Sequence, residues 1–124
     1  MKSNLEIVKS NYEEHTKLFE NLAPDVEWQE MEGFPYGGTY HGPQELIDGV
    51  FSKIDQDWDD FQAVAETFLE SGNNVVTIGH YSGVFKKSGK AMKAVFAHVY
   101  TLRDGRIIKF RQFADSALFT QAMR

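Results

Sequence analysis

Three residues of this sequence pair a titratable side chain with apolar neighbours, and the chemistry they suggest is proton transfer. His98 interrupts the apolar run "VFAHVYTL". A buried imidazole must find hydrogen-bond partners, and its ordinary pKa lets it move protons near neutrality. Glu30, with Glu32 close behind, stands where a strand-like stretch enters an aromatic loop. A carboxylate in such surroundings has its pKa raised toward the range of a general base, whereas at a solvated strand end it does nothing. Asp115 follows "RIIKFRQFA" and precedes "SALFTQAM", so it reads either as an acid–base group or as the cap of a terminal helix. His15 and His80 suit hydrogen bonding in the core better than catalysis.

The segment "EGFPYGGTYHGP", residues 32 to 43, supplies a candidate binding surface. Its glycines allow tight bends, Pro35 stiffens it, and Phe34, Tyr36 and Tyr40 offer flat walls with polar tips. Such a lining suits the mouth of a pocket for a small, ring-containing ligand; the alternative is a structural turn whose rings cap the core. "DQDWDDFQAVAE" puts Asp55, Asp57, Asp59 and Glu66 at positions 1, 3, 5 and 12 of a calcium-loop template. Its sixth position is Asp60, where the sharp turn requires glycine, so it reads as a solvated acidic turn. The sequence carries no dinucleotide glycine fingerprint, phosphate loop, zinc-protease motif or nucleophile elbow. Neither a metal nor a cofactor is expected.

Bulk properties narrow the class. The 124 residues suit one domain over 1–124, and 13 basic against 18 acidic side chains give a formal charge of −5. That balance disfavours nucleic acid as a partner. There is no cysteine, hence no disulfide framework and no thiol nucleophile. No apolar run approaches the ~20 residues of a membrane helix, and the expected setting is the cytoplasm, away from membranes.

The elements that must position these groups follow from periodicity. Leu5, Val8, Tyr12, His15, Phe19 and Leu22 recur at helical spacing, predicting one helix from near Ser3 with Tyr12 and His15 on its apolar stripe. In "LAPDVEWQEM" the inward face of a strand comprises Val26, Trp28 and Glu30. Beyond the loop, Gly42 and Pro43 open a second helix with Leu46, Ile47, Val50, Phe51 and Ile54 on its apolar face. "WDDFQAVAETFLESGNN" satisfies helix and strand spacing equally. "VVTIGHYSGVF", "AMKAVFAHVYTL" and "RIIKFRQFAD", separated by turns, predict a three-stranded meander and an α+β class with helices on one face of a twisted sheet.

One residue of register decides the site in that meander. A two-residue "DG" turn sets His98 opposite Arg111, with Phe96, Tyr100, Phe113 and Asp115 on the same side. A three-residue "RDG" loop with a glycine bulge sets His98 against Phe110 and Gln112 and turns Arg111 and Asp115 away. Both alternating faces of "KAVFAHVYTL" and "RIIKFRQF" are apolar, so one face needs the helices and pocket, and the other a second subunit.

The string "VEWQEMEGFPYGGTYHGPQELIDGVF", followed by "VVTIGHYSGVF", "FAHVYTLRDGRIIKFRQFAD" and a short terminal helix, resembles SnoaL-like proteins across nearly the whole chain. These belong to the nuclear transport factor 2-like superfamily, with ketosteroid isomerases, polyketide cyclases and limonene epoxide hydrolase. The resemblance implies a cone-shaped fold: a curved mixed sheet wrapped around N-terminal helices, a deep apolar pocket and a homodimer. It also implies that "FQAVAETFLES" is a strand. Glu30 falls near the isomerase general base, His98 near that enzyme's second hydrogen-bonding acid, and Asp115 matches the SnoaL-type catalytic aspartate. Tyr12 corresponds only loosely to the isomerase tyrosine, and the isomerase pair of Tyr and protonated Asp is not reproduced.

The expected function is acid–base chemistry, of isomerase, cyclase or hydrolase type, on a small apolar carbonyl compound. Glu30 or Asp115 removes a proton while His98, helped by Tyr40 or Tyr12, donates to the oxygen that becomes negative. Tyr12, Trp28, Phe34, Tyr36, Tyr40, Phe110 and Gln112 are the expected ligand contacts. The alternative is a non-catalytic binding protein of the same fold in which His98 and Arg111 orient an acidic ligand.

Overall fold

The computed structural model describes residues 2–124. Its first helix, α1 (Asn4–Glu13), starts at Ser3, whose hydroxyl accepts from the Glu6 backbone N–H while the Glu6 carboxylate accepts from the Ser3 N–H. This reciprocal cap satisfies two donors the helix cannot. The single predicted helix is in fact two. Glu14 leaves the helical region (φ −138°, ψ 117°), α2 runs over His15–Asn21, and Leu22 already opens strand β1 (Leu22–Glu30). Asn21 Nδ2 donates to Asn11 Oδ1 at 3.0 Å and ties the two helices together. The break rotates α2 so that His15 is exposed, and the expected core hydrogen bond for it is not made.

Strand β1 alternates as its sequence predicts, with Val26, Trp28 and Glu30 buried. The loop after it does not stay a loop: Gly38–His41 forms an edge strand, β2, antiparallel to β1. Helix α3 (Gly42–Leu46), a π-helical turn (Ile47–Phe51) and α4 (Ser52–Asp57) follow without a break. The wide turn is marked by the Ser52 N–H reaching back to the Ile47 carbonyl. One extra residue in that turn carries both Val50 and Phe51 to the same inner side.

The long strands come next: β3 (Trp58–Ser71), β4 (Asn74–Phe85), β5 (Ala91–Arg103) and β6 (Arg106–Ala114), then α5 (Ser116–Ala122). The ambiguous segment is therefore a strand. The sheet order is β2-β1-β6-β5-β4-β3, all antiparallel except the parallel pair β1–β6. β3 carries two bulges, between Asp59 and Gln62 and between Ala65 and Thr67, which bend the sheet around the helices. At the second bulge the Val64 carbonyl presses so close to Gly79 that a Cβ there would lie 1.9 Å from its oxygen. The result is the α+β arrangement expected: helices enclosed by a curved, mixed six-stranded sheet.

The β5–β6 register combines features of both alternatives. Asp104 (φ 52°) and Gly105 (φ 78°) make the two-residue turn, with Arg103 paired to Arg106. One bulge at Ile108 then shifts the ladder, so that Thr101 pairs with Lys109 and His98 with Gln112. Arg111, Phe113 and Asp115 consequently lie outside, and the inner-face constellation of His98 with Arg111 and Asp115 does not form. Val64, Ile78, Val95 and Phe113 leave the outer face of the sheet conspicuously apolar, with Val95 48% exposed. No helix among the described residues is long and apolar enough to cross a membrane.

Candidate active site

Between the helices and the inner face of the sheet lies a cavity of about 310 Å³. Its mouth is rimmed by the exposed His15, Phe19 and Asp55, and its floor by the buried Glu30, Tyr81, His98 and Tyr100. Apolar walls come from Trp28 and Phe110, which stack with ring centroids 3.6 Å apart, and from Leu18, Phe51 and Phe61. A volume of this order accommodates a small organic molecule.

Glu30 reaches the floor because strand alternation turns it inward with Trp28. Only 5% exposed, its carboxyl has a pKa pushed up to about 8 by burial, against which the indole N–H of Trp28, donating to Oε2 at 3.2 Å, pulls weakly downward. Such a group exists as both acid and base near neutrality. That is the property a general base of modest strength needs.

His98 sits at the centre of the floor. Its ring lies flat on Phe96, centroids 4.0 Å apart and planes 9° apart, and burial lowers its pKa to about 3. The imidazole is neutral. Nδ1 meets the Tyr12 hydroxyl at 2.6 Å and Nε2 the Tyr81 hydroxyl at 2.5 Å. Tyr12 also contacts Thr77 Oγ1 at 2.6 Å and accepts from Tyr100 at 2.7 Å, while Gln112 Nε2 donates to Tyr81 at 3.4 Å. Burial raises the pKa of all three phenols, so they remain O–H donors.

A neutral imidazole has one N–H and one lone pair, which couples the two tyrosines. If Tyr81 donates to Nε2, Nδ1–H donates to Tyr12 and the Tyr12 proton goes to Thr77. If Tyr12 donates to Nδ1, Nε2–H is spent on Tyr81 and the Tyr81 proton is free for the cavity. His98 therefore orients hydroxyl donors rather than presenting a charge.

The sequence-predicted residues divide cleanly. Glu30, His98, Tyr12, Trp28 and Phe110 line the cavity together. Asp115 does not: it is exposed at the N-terminus of α5 and its side chain makes no cap hydrogen bond. Gln112 is buried behind the floor, holding Tyr81 and accepting from the Met31 N–H at 3.1 Å. The aromatic loop turns its rings into the core instead of toward the cavity. Phe34 packs on Phe119 at 4.6 Å and borders only a second, shallow depression on the far side of Glu30. Tyr36 donates to Asp57 at 2.7 Å and accepts from the Trp58 indole at 2.9 Å. Tyr40 donates to the Tyr36 carbonyl at 2.9 Å and fills the space over Gly49. His80 pairs with Glu66 on the outer face. Asn11 and Tyr81 are wall and floor residues that no sequence motif marks, and Tyr100, expected on the His98 side of its strand, joins them. Period-two alternation in "VVTIGHYSGVF" was the available signal for Tyr81, since it puts Thr77, Gly79 and Tyr81 on one face.

The sequence matches the family model described as SnoaL-like domain over residues 11–110. The chain is similar to the structure of an NTF2-like protein from Burkholderia thailandensis E264, with 32% identity, a TM-score of 0.94, and 100% of this chain and 99% of that one covered. It is similar in fold to TerC, whose structure was determined with polyporic acid, at 23% identity and a TM-score of 0.85, covering 97% of each chain. A SnoaL-like polyketide cyclase structure from Jannaschia sp. CCS1, itself designated putative, matches at 21% identity and a TM-score of 0.80, covering 96% of this chain and 90% of that one. No match was found among curated proteins.

Proposed function

The chain belongs to the SnoaL-like domain family, and on that premise we propose that it is an enzyme performing acid–base chemistry, of the isomerase or cyclase kind, on a small apolar carbonyl compound. The observation that carries this reading is Glu30: a buried carboxyl with a pKa near 8, on one cavity floor with three protonated phenols and a neutral imidazole. Glu30 as carboxylate takes the proton from a carbon next to the carbonyl; the C–H electrons move into a C=C bond and the oxygen becomes negative. The Tyr81 hydroxyl, freed for the cavity when Nε2–H of His98 donates to it and Tyr12 donates to Nδ1, donates to that oxygen. Where a C=C lies β,γ to the carbonyl, the dienolate takes the proton back from Glu30 at its γ-carbon, giving isomerisation; where a second carbonyl is in reach, the enolate carbon attacks it and the alkoxide formed takes the proton back from Glu30, giving ring closure. TerC, of similar fold and co-crystallized with polyporic acid, supports an organic oxygen-bearing ligand for this fold.

A second reading is favoured by one feature. Both ring nitrogens of His98 are already engaged by tyrosines, so the imidazole itself has no free site to give or take a proton, as suits a binding protein. Hydrogen–deuterium exchange at the α-carbons of a panel of cyclic ketones, followed by NMR in D2O, separates the two. Exchange by the parent protein and none by Glu30→Gln supports the enzyme. Ketones that bind without exchanging would establish the binding protein instead. The apolar outer face around Val95 and Ile78 is proposed as the contact for a second copy of the chain.

A further inference from the structure

One hydrogen-bonded chain crosses the cavity floor, and its protons can be counted. Gln112 is fixed at one end: its Oε1 accepts from the Met31 N–H at 3.1 Å, so the amide nitrogen faces Tyr81 as a donor. Tyr100 is fixed at the other, donating to Tyr12 at 2.7 Å. Thr77 is fully buried, and the Tyr12 hydroxyl at 2.6 Å is the one hydrogen-bond partner of its side chain among the described residues. Were Tyr12 to donate to Thr77, the Thr77 O–H would stay buried without an acceptor, which folded proteins seldom tolerate. Thr77 therefore donates to Tyr12. A phenol oxygen accepts two hydrogen bonds, and Tyr100 and Thr77 supply both. The Tyr12 proton then has one place to go, Nδ1 of His98 at 2.6 Å, so the neutral imidazole carries its own proton on Nε2 and donates to Tyr81 at 2.5 Å. Tyr81, which borders the cavity, accepts from His98 and Gln112, and its O–H is the one donor of the chain left without a partner.

We propose that Tyr12 is a positioning residue: fed by Thr77 and Tyr100, it holds His98 as the Nε2–H tautomer and so commits the Tyr81 proton to an oxygen acceptor on the ligand. This role rests on the cavity being the ligand site proposed above. Although Tyr12 borders that cavity, its hydroxyl is spent on the imidazole. Donation runs in one direction, from Thr77 and Tyr100 through Tyr12 and His98 to Tyr81, and each bond polarises the next, so the terminal O–H is a stronger donor than an isolated phenol. Negative charge gathering on a ligand oxygen strengthens the whole chain without any of its protons changing hands. A carbonyl on its way to an enolate, or a phenolate, fits that terminus, whereas an ammonium or N–H, having only donors to offer, does not.

NMR of the full-length parent with 15N-labelled histidine, at about pH 7, reads the tautomer directly, the His98 ring being identified by its contacts with the Phe96 ring stacked on it. A proton on Nε2 is expected. A proton on Nδ1 overturns the proposal, since Tyr81 would then donate to His98 and not to the ligand. Exchange of the α-protons of 2-tetralone supplies the functional arm. Tyr81→Phe, which removes the donor, is expected to slow exchange at saturation about 100-fold, and Tyr12→Phe, which keeps the donor but releases the tautomer, about 10-fold, each with KM within about 2-fold. The double variant is expected to be no slower than Tyr81→Phe, because Tyr12 acts through Tyr81. Penalties that multiply would put the Tyr12 hydroxyl on the ligand and overturn the positioning role. An Nε2 proton in a parent that exchanges no ketone keeps the chain's direction and removes the enzyme reading alone.

Discussion

The indole of Trp28 donates to the carboxyl of Glu30, two residues further along the same face of β1, at 3.2 Å. Among the described residues this is the one hydrogen bond Glu30 receives from a side chain, and it stabilises the ionised form. In Trp28→Phe that support is gone and the Glu30 pKa, already about 8, rises further. The pH profile of ketone α-proton exchange is then expected to rise with an apparent pKa near 8 in the parent and to shift to higher pH in Trp28→Phe, with activity at pH 7 falling several-fold. An unshifted profile would mean that a different group is the base.

Glu30 and His98 also set opposite limbs of the stability curve. Glu30 is neutral in the fold up to about pH 8 but ionises near pH 4.5 once unfolded, so its contribution is complete below 4.5 and is lost as pH rises through 8. His98 titrates near 3 in the fold and near 6.5 unfolded, so its contribution is complete above 6.5 and is lost as pH falls through 3. Between pH 4.5 and 6.5 the two proton balances cancel. Urea unfolding across pH 4 to 9 is expected to show that Glu30→Gln gains on the parent from about pH 4.5 to 8, by an amount on the order of a few kcal/mol at pH 9, and that its stability rises between pH 4.5 and 6.5, where the parent is flat. A Glu30→Gln curve that declines as steeply as the parent between pH 6.5 and 8 contradicts a buried, neutral Glu30.

Asp115 provides the control for the family analogy. Exposed, without a capping bond and outside the cavity lining, it has nothing to lose on becoming an amide. Asp115→Asn is expected to leave exchange activity within about 2-fold and stability within about 0.5 kcal/mol of the parent. A drop as large as that of Glu30→Gln would show that Asp115 reaches the substrate.

The outer sheet face predicts association. Val95, opposite His80 in the β4–β5 ladder, stands 48% exposed beside Val64 and Ile78. Sedimentation at micromolar concentration is expected to show a dimer for the parent and a monomer with an unchanged far-UV spectrum for Val95→Asp. A parent protein that sediments as a monomer removes the role proposed for this face.

Much of the architecture was legible because it is written locally. The serine cap before α1, the alternation that turns Val26, Trp28 and Glu30 inward, and the β-rich runs of the meander each involve neighbours in sequence. Inward placement of Glu30 follows from a period of two that needs no knowledge of the partner strand. The "FQAVAETFLES" strand was decided by the family resemblance, since both periodicities fit it equally.

What the tertiary structure alone decided is which groups meet. The Asp104–Gly105 turn was one of two readings the sequence left open, and a single bulge at Ile108 added to it inverts the facing of the rest of β6 and sends Arg111 and Asp115 outside. The helix break at Glu14 exposes His15 and lets Asn21 hold Asn11 against the cavity, although the apolar stripe runs through it unbroken. Phe34, Tyr36 and Tyr40 are drawn into the core by Phe119, Trp58 and Gly49, partners distant along the chain. Periodicity reports the face a side chain takes relative to its own element, and the sequence settled that for Glu30. Register, bulges and helix breaks are set by contacts between elements, and one residue of offset there exchanges a site for a surface.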